Sequence, residues 1–278
     1  MNTQLSLCIR RIAFLALAFL AQGVRAETFP EGDVFRPLEA DPRDTRTFMS
    51  VLGVDFEQTQ TTAAAIGIGV NFGFYRWPGE RPGEGWQVGM FSHIVSQFDL
   101  EGESYPLINT DFRVGFALSF RSGDWSGRAK WLHQSSHLGD EFILMGNSPA
   151  REDLSVELVD VVFAWQRAGW RPYLGASYLY HTDPGTLNKW GIQAGVDYLG
   201  TSRVLFGGRL VGGLDVRSHD ENNWRAGVSA KLGLAYGRPD PDRRGLTVLL
   251  EAYDGPAPWG QFYRDVISYY GVALQFHH

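Results

Sequence analysis

The sequence predicts an all-β fold, an antiparallel transmembrane β-barrel of about twelve strands. Three observations predict it. Apolar and polar residues alternate through most of the chain after residue 46, which is the period of a strand. The composition is rich in glycine (33 residues) and in aromatics (14%). The apolar face of the strands ends in aromatic residues while the other face carries charge, as in a wall with lipid outside and a polar interior. A periplasmic β-sandwich is the competing architecture.

Taken in order, residues 1–26 read as a secretory signal. Arg10 and Arg11 give a charged start, Ile12 to Leu20 is an apolar run too short to span a bilayer, and Val24-Arg25-Ala26 offers small residues for cleavage. Cys8 is the only cysteine, so cleavage leaves a chain without thiol or disulfide chemistry. The signal holds three arginines and no acids, so its removal takes the formal net charge from −6 to −9. That balance speaks against nucleic acid or another polyanion as partner. Residues 27–45 are rich in proline and acids and predict an irregular periplasmic segment. Residues 46–278 make the barrel.

The first strand is expected around 47–57. The second alternates Ile66, Ile68, Val70, Phe72 and Phe74 with Gly67, Gly69, Asn71 and Gly73. The third runs about 85–98. In the fourth, Phe112, Val114, Phe116, Leu118 and Phe120 face lipid, and Asp111, Arg113, Ser119 and Arg121 face inward. A two-residue turn at Ser122-Gly123 would pair 112 with 133. Further strands follow from Trp125 and over about 154–167, 171–182, 188–199, 203–217, 224–237, 245–254 and 266–277. The count of twelve is even, as in single-chain bacterial barrels. With both barrel ends periplasmic, the loop 138–153 is extracellular and carries Asp140 and Glu141. Inward Arg113, Arg128, Lys130, Asp160, Arg209 and Asp215 are expected to pair within the lumen. Trp259-Gly-Gln-Phe-Tyr263 reads as an aromatic loop at the membrane edge, with a lid as the rival reading.

The chemistry concentrates on the hairpin from Trp125 to Gln166. Arg128, Lys130 and Gln134 suit only a polar interior, so residues of the opposite parity, His133 and Ser135, point outward. In the second arm Val159, Val161 and Phe163 face out, and Glu157 shares their parity. A hairpin centred on residue 145 sets 133 opposite 157. Serine, histidine and glutamate then meet on the outside of the barrel near the outer interface, where lipid esters lie. A serine hydroxyl needs a base to take its proton, and a carboxylate fixes the base's tautomer. The bland reading is that His133 and Ser135 belong to the polar interfacial belt and Glu157 reaches the headgroups.

The runs Phe72-Gly-Phe-Tyr-Arg-Trp77, Ser96-Gln-Phe-Asp-Leu100, Leu107-Ile-Asn-Thr-Asp111 and His133-Gln-Ser-Ser-His-Leu-Gly-Asp-Glu141 resemble the bacterial domain-of-unknown-function family 1207. The resemblance covers most of the chain after the signal. It implies an exported protein of the outer membrane and supplies no activity. Locally, His133 and Ser135 resemble the His-x-Ser pair on a lipid-facing strand of outer-membrane phospholipase A, a twelve-stranded barrel. They also resemble the pair in the lipid A 3-O-deacylase barrels, whose third member is a glutamate, matched here by Glu157. Ser136 stands where the phospholipase has asparagine, and Asn147 stands at the phospholipase-like spacing for the third member.

The function expected is an integral outer-membrane acyl hydrolase of a Gram-negative bacterium, acting on phospholipid or lipid A acyl chains through Ser135, His133 and Glu157. The alternative is a non-enzymatic barrel, either a small-solute channel or a structural protein. The partners expected are outer-membrane lipids, and a homodimer is compatible with the fold. Serine chemistry requires no cofactor. A calcium ion is the cation that His137, Asp140 and Glu141 would hold, with Asp99, Glu101 or Glu103 from another loop; a solvated loop is the plainer reading of these residues.

Overall fold

Twelve strands close on themselves. The computed structural model describes residues 26–56, 59–145, 152–237 and 245–277; the expected signal, apart from Ala26, and Asn147 fall outside them. A two-residue strand β1 (Glu27–Thr28) precedes the barrel strands β2 (Thr47–Phe56), β3 (Thr59–Pro78), β4 (Gly85–Asp99), β5 (Leu107–Ser122), β6 (Trp125–Leu138), β7 (Leu154–Trp165) and β8 (Trp170–Asp183). After these come β9 (Trp190–Arg203), β10 (Arg209–His219), β11 (Ala226–Tyr236), β12 (Gly245–Pro256) and β13 (Val266–His277). Each pairs antiparallel with its neighbours, and β13 pairs with β2 to close the ring. One five-residue helix, α1 (Asp140–Leu144), lies in the loop after β6. Among the described residues no helix is long and apolar enough to cross a membrane.

The alternation sorts the faces as the sequence predicts. Phe112, Val114, Phe116 and Leu118 are exposed on the outer wall, while Asp111 and Ser119 are buried inside. Aromatic pairs gird the short-turn end, with Trp86 on Phe120 (5.0 Å) and Trp170 on Tyr198 (4.8 Å). A second set, Tyr178 on Trp190 (4.8 Å) and Trp131 on Tyr180 (6.4 Å), sits toward the long-loop end. Such belts suit the two interfaces of a bilayer. One turn differs from expectation. β5 and β6 join through Gly123 and Asp124, and Ser122 pairs with Trp125, so Phe112 lies opposite Ser135. Gly123 takes the left-handed conformation (φ 57°) that such a turn needs and that glycine adopts without steric cost. The register moves by two residues, which preserves every facing.

The lumen is filled. Residues 30–46 are irregular, as their composition predicts, but they pack inside the barrel rather than outside it. Val34, Phe35, Leu38 and Ala40 are buried, and two carboxylates of this segment, Asp41 and Asp44, find their cations on the inner wall. Asp44 takes ion pairs from Arg128 (3.0 Å) and Lys130 (2.8 Å), and Asp41 takes one from Arg217 (3.0 Å). Arg128 also lies over the Phe35 ring at 4.7 Å. An acid-rich segment beside a wall of inward arginines is driven there by charge, since each buried charge needs its partner. Arg217 reaches Asp160 as well (3.4 Å), and Asp215 accepts from Tyr173 (2.7 Å) and Gln193 (2.6 Å). Arg113 donates to the carbonyl of Arg43, and Arg209 to that of Gly237.

Candidate functional site

Strand β6 carries the site because its parity is unbroken. Trp131 and His133 are exposed on the outer wall, Ser135 is half-buried there, and Lys130, Leu132 and Ser136 are buried within. The β6–β7 register sets His133 directly opposite Glu157 and Ser135 opposite Ser155. Directly opposed residues in an antiparallel pair have Cβ atoms about 4.5–5.5 Å apart, so the histidine and the glutamate are nearest neighbours. On the other side of β6, Val114 lies opposite His133 and Phe112 opposite Ser135, which makes one flank of the site apolar. The three side chains make no hydrogen bond to one another in this arrangement; catalytic bonds are often long until substrate is bound. The cluster stands one rung beyond Trp131, at the edge of the long-loop aromatic belt.

A fourth residue belongs to this row and was not legible in the sequence. His181 pairs with Glu157 from β8. Simple alternation gives position 181 the inward parity of Tyr173 and Ser177. A bulge in the β7–β8 ladder, between Glu157 and Leu158, inserts Tyr180 and turns His181 outward beside the glutamate. Glu157 thus stands between two histidines.

Ser136, the neighbouring serine, faces the lumen and is 1% exposed. Its hydroxyl donates to Asn109 Oδ1 (3.0 Å) and to Asp111. This pair anchors the loop between β12 and β13, which turns into the barrel mouth rather than lying along the membrane edge. The Gly260 N–H donates to Asp111 Oδ2 (2.9 Å), the Gln261 N–H to Ser136 Oγ (3.1 Å), and Gln261 Nε2 to the Ser136 carbonyl (2.8 Å). Phe262 is buried and Trp259 stacks on Tyr269 at 5.9 Å. At the rim Tyr263 donates to Glu152 (3.0 Å), which also pairs with Arg264 (2.7 Å). Burial and that carboxylate push the Tyr263 phenol above its ordinary value, so it stays protonated and donating. Of the two sequence readings of this loop, the lid describes it better. Asp111→Ala removes the acceptor of Gly260 and leaves Ser136 without its carboxylate. Hydrogen bonds to charged groups contribute about 1.5–3 kcal/mol each, so cleavage of the 257–265 loop by protease is expected to quicken by at least about tenfold, with the barrel itself still resistant.

The cation expected at His137, Asp140 and Glu141 finds no cage. His137 lies on the outer wall against Phe112 (5.9 Å), and Asp140 and Glu141 occupy the first turn of α1. Asp99 accepts from Thr61 (3.0 Å) and Glu101 from Thr62 (2.8 Å), so these carboxylates are engaged elsewhere. Among the described residues no three histidine, cysteine or acidic side chains converge on a metal position. As placed, His137, Asp140 and Glu141 form no calcium cage.

Solved structures share the architecture. Outer membrane phospholipase A from Escherichia coli, in an active-site mutant, aligns over 87% of this chain and 91% of its own at 13% identity, with a TM-score of 0.58. The Salmonella typhi outer membrane phospholipase dimer with bound calcium aligns over 87% and 92% at 12% identity, with a TM-score of 0.57. The KdgM porin aligns over 83% of this chain and 99% of its own at 8% identity, with a TM-score of 0.44. At these identities the likeness is one of fold, that of outer-membrane barrels. No curated protein sequence matches. The family described as "Protein of unknown function (DUF1207)" matches residues 12–278, which is nearly the whole sequence, and the chain belongs to that family.

Proposed function

We propose that this barrel resides in the outer membrane of a Gram-negative bacterium and hydrolyses acyl esters of phospholipid or lipid A, with Ser135 as nucleophile, His133 as base and Glu157 as orienting carboxylate. The observation that carries the reading is the register of β6 on β7. It sets His133 opposite Glu157 and keeps Ser135 on the same lipid-facing wall, at the height of an aromatic belt. Ser135 Oγ attacks the ester carbonyl while His133 takes its proton, and His133 returns that proton to the departing alkoxide. Water, activated by the same histidine, then releases the fatty acid from the acyl-serine. Glu157 holds the imidazole in the useful tautomer and offsets its charge. The phospholipase A relatives, one of them a dimer with bound calcium, support the choice of lipid as substrate and of a homodimer as a form to test. The rival is a barrel without catalytic activity. The filled lumen favours a structural role over a small-solute channel within that rival.

The test is purified protein, refolded in detergent, given phospholipid or lipid A and assayed for released fatty acid. Release by the natural chain and none by Ser135→Ala supports the proposal. Equal release by both, or none by either with folded protein, removes it.

A further inference from the structure

An ester attacked by Ser135 develops negative charge on its carbonyl oxygen, and donors aimed at that oxygen supply much of the rate. The backbone around Ser135 has none free for it. Gln134, Ser135 and Ser136 are paired with Arg113, Phe112 and Asp111 on β5, and with Val156, Ser155 and Leu154 on β7. Inside two ladders the N–H groups are committed to the neighbouring strands. A lipid-facing wall also brings little water to carry the charge. The donor has to be a side chain on the outer face.

Two residues lie directly opposite Ser135. On β5 it is Phe112, which has no donor, and on β7 it is Ser155. Ser155 has the outward parity of Glu157 and Val159 and is half-buried, as Ser135 is. Opposed side chains start from Cβ atoms about 4.5–5.5 Å apart, so one carbonyl oxygen fits between the two hydroxyls. Along β6 the adjacent outward residues are His133, which serves as base, and His137, whose ring stands edge-on to Phe112 at 5.9 Å and so leans toward β5. On its far side Ser155 faces Asp183, the exposed last residue of β8. A hydroxyl rotates to suit its partners, so its proton can turn to the oxygen on which charge develops.

We infer that Ser155 is a further catalytic residue, the oxyanion donor of this site; the inference rests on the acyl-hydrolase reading. Ser135 Oγ bonds to the ester carbon, its proton passes to His133, and the carbonyl π pair moves onto oxygen. The Ser155 hydroxyl donates a hydrogen bond to that oxygen and keeps its own proton. The alkoxide then departs with the proton from His133, and the pair returns to the carbonyl. An oxygen turned toward β7 lays the acyl chain along β5, over Phe112 (42% exposed) and Val114 (45%).

Fatty-acid release by the refolded full barrel in detergent–phospholipid micelles tests this. A long-chain alkylphosphonofluoridate, from which a serine oxygen displaces fluoride at phosphorus, marks the nucleophile. Ser155→Ala should lower kcat by about a hundredfold, the scale of losing one oxyanion donor, and leave KM nearly unchanged. Ser155→Thr, which keeps the hydroxyl, should recover most of the rate. Asp183→Asn should not lower it. The label should sit on Ser135 in the natural chain and in Ser155→Ala alike. Heat-modifiable migration on gels confirms that each variant is closed. Unchanged kcat in Ser155→Ala, a change in KM alone, or threonine no better than alanine overturns the inference, and with Ser135→Ala inactive it leaves Ser135 as nucleophile. Label on Ser155, or a loss in Asp183→Asn as large as that in Ser155→Ala, overturns it by giving Ser155 another role. A folded natural chain that releases nothing removes both this inference and the reading on which it rests.

Discussion

Ser135→Ala is expected to lower fatty-acid release by about a thousandfold or more, and His133→Ala by a similar factor, because a nucleophile without its base and a base without its nucleophile are equally idle. The double variant should be no worse than either single one. Glu157→Gln should lose less, about ten- to a hundredfold, because the amide still occupies the place beside the imidazole while no longer offsetting its charge. His181 supplies a second comparison. If Glu157 serves both rings, His181→Ala changes release by only a few fold. A larger loss would move the base from β6 to β8. Additive losses in the Ser135, His133 double variant would contradict a common unit, and initial rates in detergent–phospholipid micelles decide the matter.

Asp44→Ala is expected to give the largest loss of stability of any single change in the lumen. The carboxylate is buried and answers both Arg128 and Lys130, so its removal leaves two buried cations without their ion-pair partner. Removing one partner of a buried ion pair costs about 3–5 kcal/mol. The temperature at which the heat-modifiable band is lost should fall accordingly. Asp44→Ala combined with Arg128→Met and Lys130→Met should recover much of that loss, because no charge is then stranded. A triple variant as unstable as the single one would mean that the segment is held by its apolar residues Phe35 and Leu38 instead.

Strand parity made the wall readable. Clean runs such as Phe112 to Phe120 face lipid because a bilayer outside and charge inside leave no other solution, and the outward placement of His133 and Ser135 followed from Arg128 and Lys130. The pairing of His133 with Glu157 followed from the hairpin centre alone. A turn misplaced by two residues did no harm, because the period of a strand is two. What periodicity cannot carry is a change of phase or a contact between distant segments. The bulge that inserts Tyr180 hid His181. The docking of Asp41 and Asp44 against Arg217, Arg128 and Lys130 joins residues more than eighty positions apart, and proline-rich acidic sequence looks the same in a lumen as in solvent. The inward fold of Gly260 and Gln261 rests on Asp111 and Ser136, which read only as polar inward positions.

The segment that fills the lumen also constrains how the molecule can be assembled. It immediately precedes β2, and β2 pairs with β13, the last strand, so ring closure joins residues 47–56 to 267–276. Contacts of such sequence separation form slowly, because a long loop must be closed before they reward it. The tether from Arg46 to Thr47 lets residues 30–46 reach their cations only on the inner side of a wall that this closure completes. Threading them in afterwards, past a closed ring and against the desolvation of Asp41 and Asp44, would be a second slow step. The economical order is for both to happen together: the acidic segment gathers the arginines of β6 and β10 while the sheet is still an open, curling ribbon, and so acts as the core about which the ribbon rolls.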